Sequence, residues 1–284
     1  MGPTVSTREA FDSLTQLSVK VSSYFPVYDL IIGKFCGTAI TLVEIGVAEG
    51  GSLLMWRRFL GPGSRIIGVD LDPAAVRMRE NGFEIFIGDQ ASPEFWGNFF
   101  AEVGDIDVLI DDGGHTNKHQ ISTVELCLDH IKDGGVILTE DVGTSYLPEY
   151  GNPSRFSFIN YAKSLAERIQ YRNPFDIQRN PDKFTAAVFS VCFFESIVCL
   201  HVDRRLCHRS TIVKVGSDLI GATNQWNADK RLVGFSAGRR GREILRSFPP
   251  GIERAVIACY ARLNAFLARR KFIAENRTLR RFFG

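Results

Sequence analysis

Five consecutive residues, Asp111-Asp112-Gly113-Gly114-His115, bring two carboxylates, two glycines and an imidazole into one short stretch. The run before them, Ile106-Asp-Val-Leu-Ile110, reads as a buried strand. The two glycines let the backbone turn sharply behind it without a steric penalty. A second acidic pair, Glu140-Asp141, closes a second apolar run, Gly135-Val-Ile-Leu-Thr139. In an open parallel sheet, ligands bind at the carboxyl ends of the strands. If these two strands are neighbours, three or four carboxylates and a histidine share a crevice. Carboxylate oxygens suit a hard cation such as magnesium, and a nearby imidazole suits proton abstraction.

The elements that must position these groups follow a regular alternation. Thr41–Val47 reads as a strand. Ala48-Glu-Gly-Gly-Ser52 then turns into the helical Leu53–Leu60. A strand, a glycine turn and a helix start form a cradle for an anionic or nucleotide-like group, because the helix N-terminus offers free amides and glycine permits close approach. The spacing Gly46, Gly50, Gly51 departs from the G-x-G-x-x-G of dinucleotide folds. Arg65–Asp70 is a second strand, and Asp70 lies 24 residues after Gly46, near the roughly 20-residue offset of a ribose-binding carboxylate. Asp72-Pro73 reads as a helix cap. A third strand, Phe83–Ile87, ends in Gly88-Asp89-Gln90, whose polar pair suits an adenine edge or another helix cap. After the fourth strand and its acidic loop, a helix from Lys118 to Ile131 leads through Asp133-Gly-Gly135 into the fifth strand. Five strands alternating with helices predict a doubly wound α/β sheet.

Around this core, Arg8–Phe35 has the spacing of helical segments broken at Pro26, placed to cover part of the cleft or form an interface. Residues 142–183, rich in turn formers and aromatics with an amphipathic helix at Phe156–Gln170, are placed to act as a substrate lid. Phe184–Phe194 and Ser196–Val202 read as an antiparallel pair closing the sheet edge. Arg204–Gly241 reads as loop, and a helix is expected from Ile252 to about Arg270. The domain reading is therefore an N-terminal helical segment (1–38), a main domain (39–203) and a C-terminal extension (204–284).

With 284 residues and 45% hydrophobic content, the chain can bury a full core. No apolar run approaches the roughly 20 residues of a membrane span, and Met1–Arg8 lacks a signal-peptide core. The expectation is a soluble, cytoplasmic protein. Its six scattered cysteines suggest reduced core residues rather than a disulfide framework. From Arg239 onward twelve Arg or Lys stand against three Glu, although the net charge is only +2. That asymmetry fits a solvated or oligomer-facing basic helix better than a nucleic-acid contact.

Taken together, these motifs resemble the class I S-adenosylmethionine-dependent, metal-dependent sugar O-methyltransferases of macrolide biosynthesis, which share their domain with cephalosporin-hydroxylase-type proteins. The resemblance runs over about residues 24–203. It rests on Val43–Leu53, Gly68–Pro73, Gly88–Gln90, Asp111–His115 and Glu140–Tyr146, in family order. It implies a Rossmann-like seven-stranded sheet, S-adenosylmethionine and Mg2+ as cofactors, and a small-molecule or oligosaccharide acceptor. It further implies that Asp112, Glu140 and Asp141 hold the metal, that His115 is the general base, and that Glu44, Gly46, Ser52, Asp70, Asp89 and Gln90 surround the cofactor. Asp111 is assigned to the cofactor set, with orientation of His115 or support of the metal as its other possible roles. His119 and His130 are read as surface residues. The chain departs from the family at Gly114, usually serine, and at Gly143, where a missing side chain is expected to widen the entrance. A catechol or phenol O-methyltransferase and a non-catalytic cofactor-binding protein are the competing readings. A homo-oligomer with no nucleic-acid partner is expected.

Overall fold

The computed structural model describes residues 5–172 and 182–208, with 211, 213, 215, 259 and 262 as isolated positions. The chain divides into two units, Met1–Ile212 and Val213–Gly284, and all the elements below belong to the first. The helix expected from Ile252 to about Arg270 falls outside the described residues, Cys259 and Arg262 apart. Among the described residues, no helix is long and apolar enough to cross a membrane.

Seven strands form one sheet in the order β3-β2-β1-β4-β5-β7-β6. Strands β1 (Thr41–Ile45), β2 (Arg65–Asp70), β3 (Glu84–Ile87), β4 (Ile106–Asp111) and β5 (Ile131–Thr139) are parallel. Strand β7 (Ile197–Val202) runs antiparallel to both β5 and β6 (Val188–Phe194). The order reverses between β1 and β4, so the carboxyl ends of these two strands flank the crevice where doubly wound sheets bind ligands. Asp112–His115 follow directly from the carboxyl end of β4 at that position.

Helices cover both faces. The α1 (Thr7–Asp12), α2 (Tyr24–Ile32) and α3 (Gly51–Leu60) segments pack on one side. On the other side lie α4 (Pro93–Val103), α5 (Asn117–Cys127), α6 (Phe158–Ile169) and the short α7 (Lys183–Ala187). Each layer has a fully buried tryptophan with a satisfied indole. Trp56 donates to Glu44 Oε1 at 3.2 Å, and Trp96 donates to the Gln90 carbonyl at 2.9 Å. Trp56→Ala removes the edge-on contact with Tyr28 (5.0 Å between centroids) as well as a donor to a buried carboxylate. It should cost about 3–5 kcal/mol, read as a shift in the urea midpoint; a smaller loss would mean the layer collapses around the gap.

Several boundaries differ from expectation for local reasons. Pro26 does not break a helix: it lies in the first turn of α2, where its missing N–H is not needed. The segment Phe184–Phe194 is not all strand, because Asp182 caps α7 by accepting from the amides of Phe184 and Thr185, both at 2.9 Å. Strand β5 begins at Ile131 rather than after the glycines. Gly134, at φ 89°, lies within it, and the β4–β5 register shifts between Ile106 and Val108. Asp72 caps the 3-10 segment Pro73–Asn81, donated to by Ala74 N–H at 2.8 Å, as its sequence predicts.

Candidate active site

At the β1–β4 switch point lies a cavity of about 740 Å³, within the range of small-molecule sites. Its floor is the glycine turn. Gly46, at φ 90°, lies so close to the acidic loop that a Cβ would fall 2.1 Å from the Asp112 carbonyl oxygen. The turn continues through Gly50 at φ 81° into α3, whose Ser52 lines the cavity. Asp70, at the end of β2, also lines it. Its carboxylate accepts from the amides of Val47 (2.7 Å), Ala48 (3.1 Å) and Asp72 (2.9 Å). With about four acceptor positions per carboxylate, roughly one is left for a ligand hydroxyl.

The acidic loop is held from behind. Gln90 donates to Asp111 Oδ1 at 2.9 Å and to Thr123 Oγ1 at 3.0 Å, while its carbonyl accepts from Gly114 N–H at 2.8 Å. Its amide therefore serves the loop from the cavity wall. Asp111 is buried and lies outside the cavity lining, with burial pushing its carboxyl upward despite the Gln90 hydrogen bond. Glu44 is likewise buried and outside the lining, held by Ser52 Oγ at 2.7 Å and by Trp56. Both were expected beside the cofactor; the structure places both behind the residues that line the cavity. Side chains alternate across a strand, so adjacent acids at a strand end face opposite layers. Asp111 turns to the α5 side, and Asp112 turns to the crevice.

The same alternation separates Glu140 from Asp141. Asp141 lines the cavity, but Glu140 is fully buried beneath it. The hydroxyl of Tyr28 donates to Glu140 Oε1 at 2.7 Å, and the ammonium of Lys20 donates to Oε2 at 2.8 Å. Lys20 also reaches Asp112 Oδ2 at 2.5 Å and stands 3.7 Å from Glu44. Burial pushes Glu140 up, to about 8, against the pull of Lys20. Burial works to lower Lys20, yet Glu140, Asp112 and Glu44 together outweigh it and hold the ammonium above its ordinary value. One helical turn before Tyr28, Tyr24 donates to Asp141 Oδ1 at 2.6 Å and accepts from Asp141 N–H at 3.2 Å. Sequence reasoning placed these helices near the cleft but missed Lys20, Tyr24 and Tyr28. The signal was the i, i+4 placement of two tyrosine hydroxyls on one face of an apolar helix.

His115 and Asp141 both adopt left-handed backbone conformations, at φ 51° and 52°. Such strain concentrates at functional sites and persists where the surroundings enforce it. Here Thr144 Oγ1 donates to the His115 carbonyl at 2.9 Å, and Val142 N–H donates to the Ser196 carbonyl at 3.0 Å. His115 Nε2 stands 3.5 Å from Asp141 Oδ2, while its Nδ1 is buried without a protein partner. Asp112, His115 and Asp141 each present one ligand atom, all within 4.8 Å of one another. Two carboxylates and an imidazole at that separation fit a divalent cation, whereas Glu140, with both oxygens engaged, does not point to the same spot.

His119 is not a surface residue. It lines the cavity, with Nε2 3.9 Å from Asp89 Oδ1, and its ring occupies the space beside Gly114. A Cβ on Gly114 would lie 2.2 Å from His119 Nδ1, so the absence of serine here makes room for this imidazole. Because that neighbour is the end of a rotatable side chain, Gly114→Ser should leave stability within about 0.5 kcal/mol. The His119 ring should swing away from Asp89, seen as changed imidazole resonances in the NMR spectrum; an unmoved ring would refute the contact. Gly143, expected to widen the entrance, instead packs against the turn between β6 and β7, its Cβ position 2.8 Å from Ser196 Oγ. Among the described residues, none of the segment after Asp141 lines the cavity.

Residues 43–142, which carry the glycine turn and both acidic pairs, match a family model described as a methyltransferase domain. The mycinamicin VI 2''-O-methyltransferase of Micromonospora griseorubida is 29% identical to the chain over 216 residues, 72% of this chain and 50% of that protein. The L-olivosyl-oleandolide 3-O-methyltransferase of Streptomyces antibioticus is 34% identical over 157 residues, 51% of this chain and 40% of that protein. A solved methyltransferase from the mycinamycin biosynthetic pathway, in complex with Mg and SAH, aligns with a TM-score of 0.62 at 25% identity. That alignment covers 70% of this chain and 54% of the other. The chain thus spans about half the length of the relatives it matches. The seven-stranded sheet is the Rossmann-like sheet of the methyltransferase fold, as the sequence predicts.

Proposed function

We propose that this methyltransferase domain moves the methyl group of S-adenosylmethionine to a hydroxyl of a sugar or glycoside, with magnesium as the metal. The observation that carries the reading is the single wall shared by the glycine-floored cavity and the Asp112, His115 and Asp141 side chains. Relatives named as sugar O-methyltransferases, and a solved relative in complex with Mg and SAH, support it.

In this reading Gly46, Ser52, Asp70 and Asp89 contact the cofactor, while Glu44, Gln90 and Asp111 brace them. Asp112 and Asp141 hold the metal, joined by Glu140 if its oxygens are freed. S-adenosylmethionine supplies an electrophilic methyl group, and magnesium supplies the charge that lowers the pKa of an aliphatic hydroxyl. Gly46 lets the backbone floor lie flat against the loop, so the donor site and His115 share one cavity. His115 takes the acceptor's proton, and the Asp141 carboxylate 3.5 Å from Nε2 stabilises the charged ring. Tyr24 keeps Asp141 turned toward the cavity.

The reading extends to a cytoplasmic homo-oligomer without a nucleic-acid partner. Six free cysteines, two of them buried in the core, accord with a reducing compartment. Two measurements test the central claim. Isothermal titration with S-adenosylhomocysteine should give saturable heat, and silence there refutes the cofactor. Radiolabelled-methyl transfer should appear on glycosides and vanish in EDTA; transfer that survives EDTA unchanged excludes the metal.

A further inference from the structure

The acidic wall already contains a cation. Lys20 has a side chain only 2% exposed, and its ammonium meets Asp112 at 2.5 Å, Glu140 at 2.8 Å and Glu44 at 3.7 Å. It arrives on the stretch Leu17–Lys20, which lines the cavity, and Ser18 packs onto the start of α3 at Gly51, where a Cβ would lie 2.6 Å from Ser18 Cβ. Three carboxylates thus converge on one ammonium, which occupies the place a divalent ion would take between Asp112 and Glu140. Yet a metal and Lys20 cannot use the same oxygens, since Oδ2 of Asp112 and Oε2 of Glu140 are both donated to by Lys20.

We propose that Lys20 is the resident cation of this site and competes with the divalent metal: the metal engages Asp112 and Glu140 together only when the ammonium withdraws, which loosens the Leu17–Lys20 strap along the cofactor cavity. The inference rests on the metal reading above, but it concerns the occupant of the acids rather than the reaction. Lys20 is a positioning residue. With the ammonium in place, Glu140 and Asp112 are held at fixed separation and the strap stays against Gly51. With the metal in place, the strap loses its one ionic anchor among these contacts.

Manganese serves as the probe, titrated alone into the full chain without cofactor or acceptor. Hydrogen exchange of the wild-type backbone should accelerate at Leu17–Val21 as manganese saturates; unchanged exchange at saturation overturns the proposal. In Lys20→Met, which keeps the length of the side chain and removes its charge, manganese should bind at least about tenfold more tightly, a difference of about 1.4 kcal/mol. Equal or weaker binding by the variant, or no binding by either protein, overturns it. The exchange experiment needs no variant, so a Lys20→Met protein that fails to fold leaves the test intact. If the metal instead sits among Asp112, His115 and Asp141 beside an unmoved Lys20, His115→Asn weakens manganese binding and Lys20→Met does not tighten it, which also refutes the proposal. Binding of S-adenosylhomocysteine without metal is measured separately, so failure of the cofactor reading is distinguishable from failure of this one.

Discussion

Replacing His115 with asparagine should lower methyl transfer to glycosides by about 10²–10⁴-fold while leaving affinity for S-adenosylhomocysteine near that of the wild type. Asparagine is the better substitution because His115 sits at φ 51°, a left-handed conformation that asparagine adopts more readily than alanine. The backbone of the loop, pinned by Gln90 and by Thr144, then keeps its course, and the variant reports on the imidazole alone. The loss should fall on turnover rather than on cofactor binding, because the ring faces Asp141 across the cavity wall and the glycine floor does not depend on it. Near-normal turnover would remove His115 as the base. A parallel loss of cofactor affinity would make it a binding residue instead.

The second large effect is expected at Gly46. Its Cβ would lie 2.1 Å from the carbonyl oxygen and 2.8 Å from the carbonyl carbon of Asp112, and the residue has φ 90°. Neither neighbour can rotate away. Gly46 N–H is tied to the Val69 carbonyl at 2.8 Å, and Asp112 N–H to the Ile45 carbonyl at 3.0 Å, so relief requires the ends of β1 and β4 to part. Gly46→Ala should therefore cost about 3 kcal/mol or more in urea unfolding and abolish heat on titration with S-adenosylhomocysteine. The contrast with Gly114 is physical: there the obstructing atoms belong to the His119 ring, which can turn, whereas here they belong to hydrogen-bonded backbone. A Gly46→Ala protein of normal stability would show that the strand ends are farther apart than described.

The sheet was legible because its parallel strands are buried on both faces and so appear as short apolar runs, each closed by a polar turn. Asp70, Asp112 and His115 fall on the expected strand ends for that reason. Roles were harder to read than positions. The pairs Asp111-Asp112 and Glu140-Asp141 look equivalent in sequence, but one member of each faces the crevice and the other the layer beneath it. His119 read as a helix-surface residue because nothing local reveals that Gly114 opens a space for its ring.

What the sequence by itself determined is the succession of strands and turns along the chain and the identity of the acids and the imidazole at the strand ends; the β1–β4 switch point came from the sheet order. Those follow from local periodicity and from glycine's backbone freedom, which are properties of neighbouring residues. Only the tertiary structure decided which acids are free. Glu140 is gripped by Tyr28 and Lys20 from 112 and 120 residues away. Burying such a charge is tolerable only when a partner arrives, and the partner's arrival is set by the path of the whole chain.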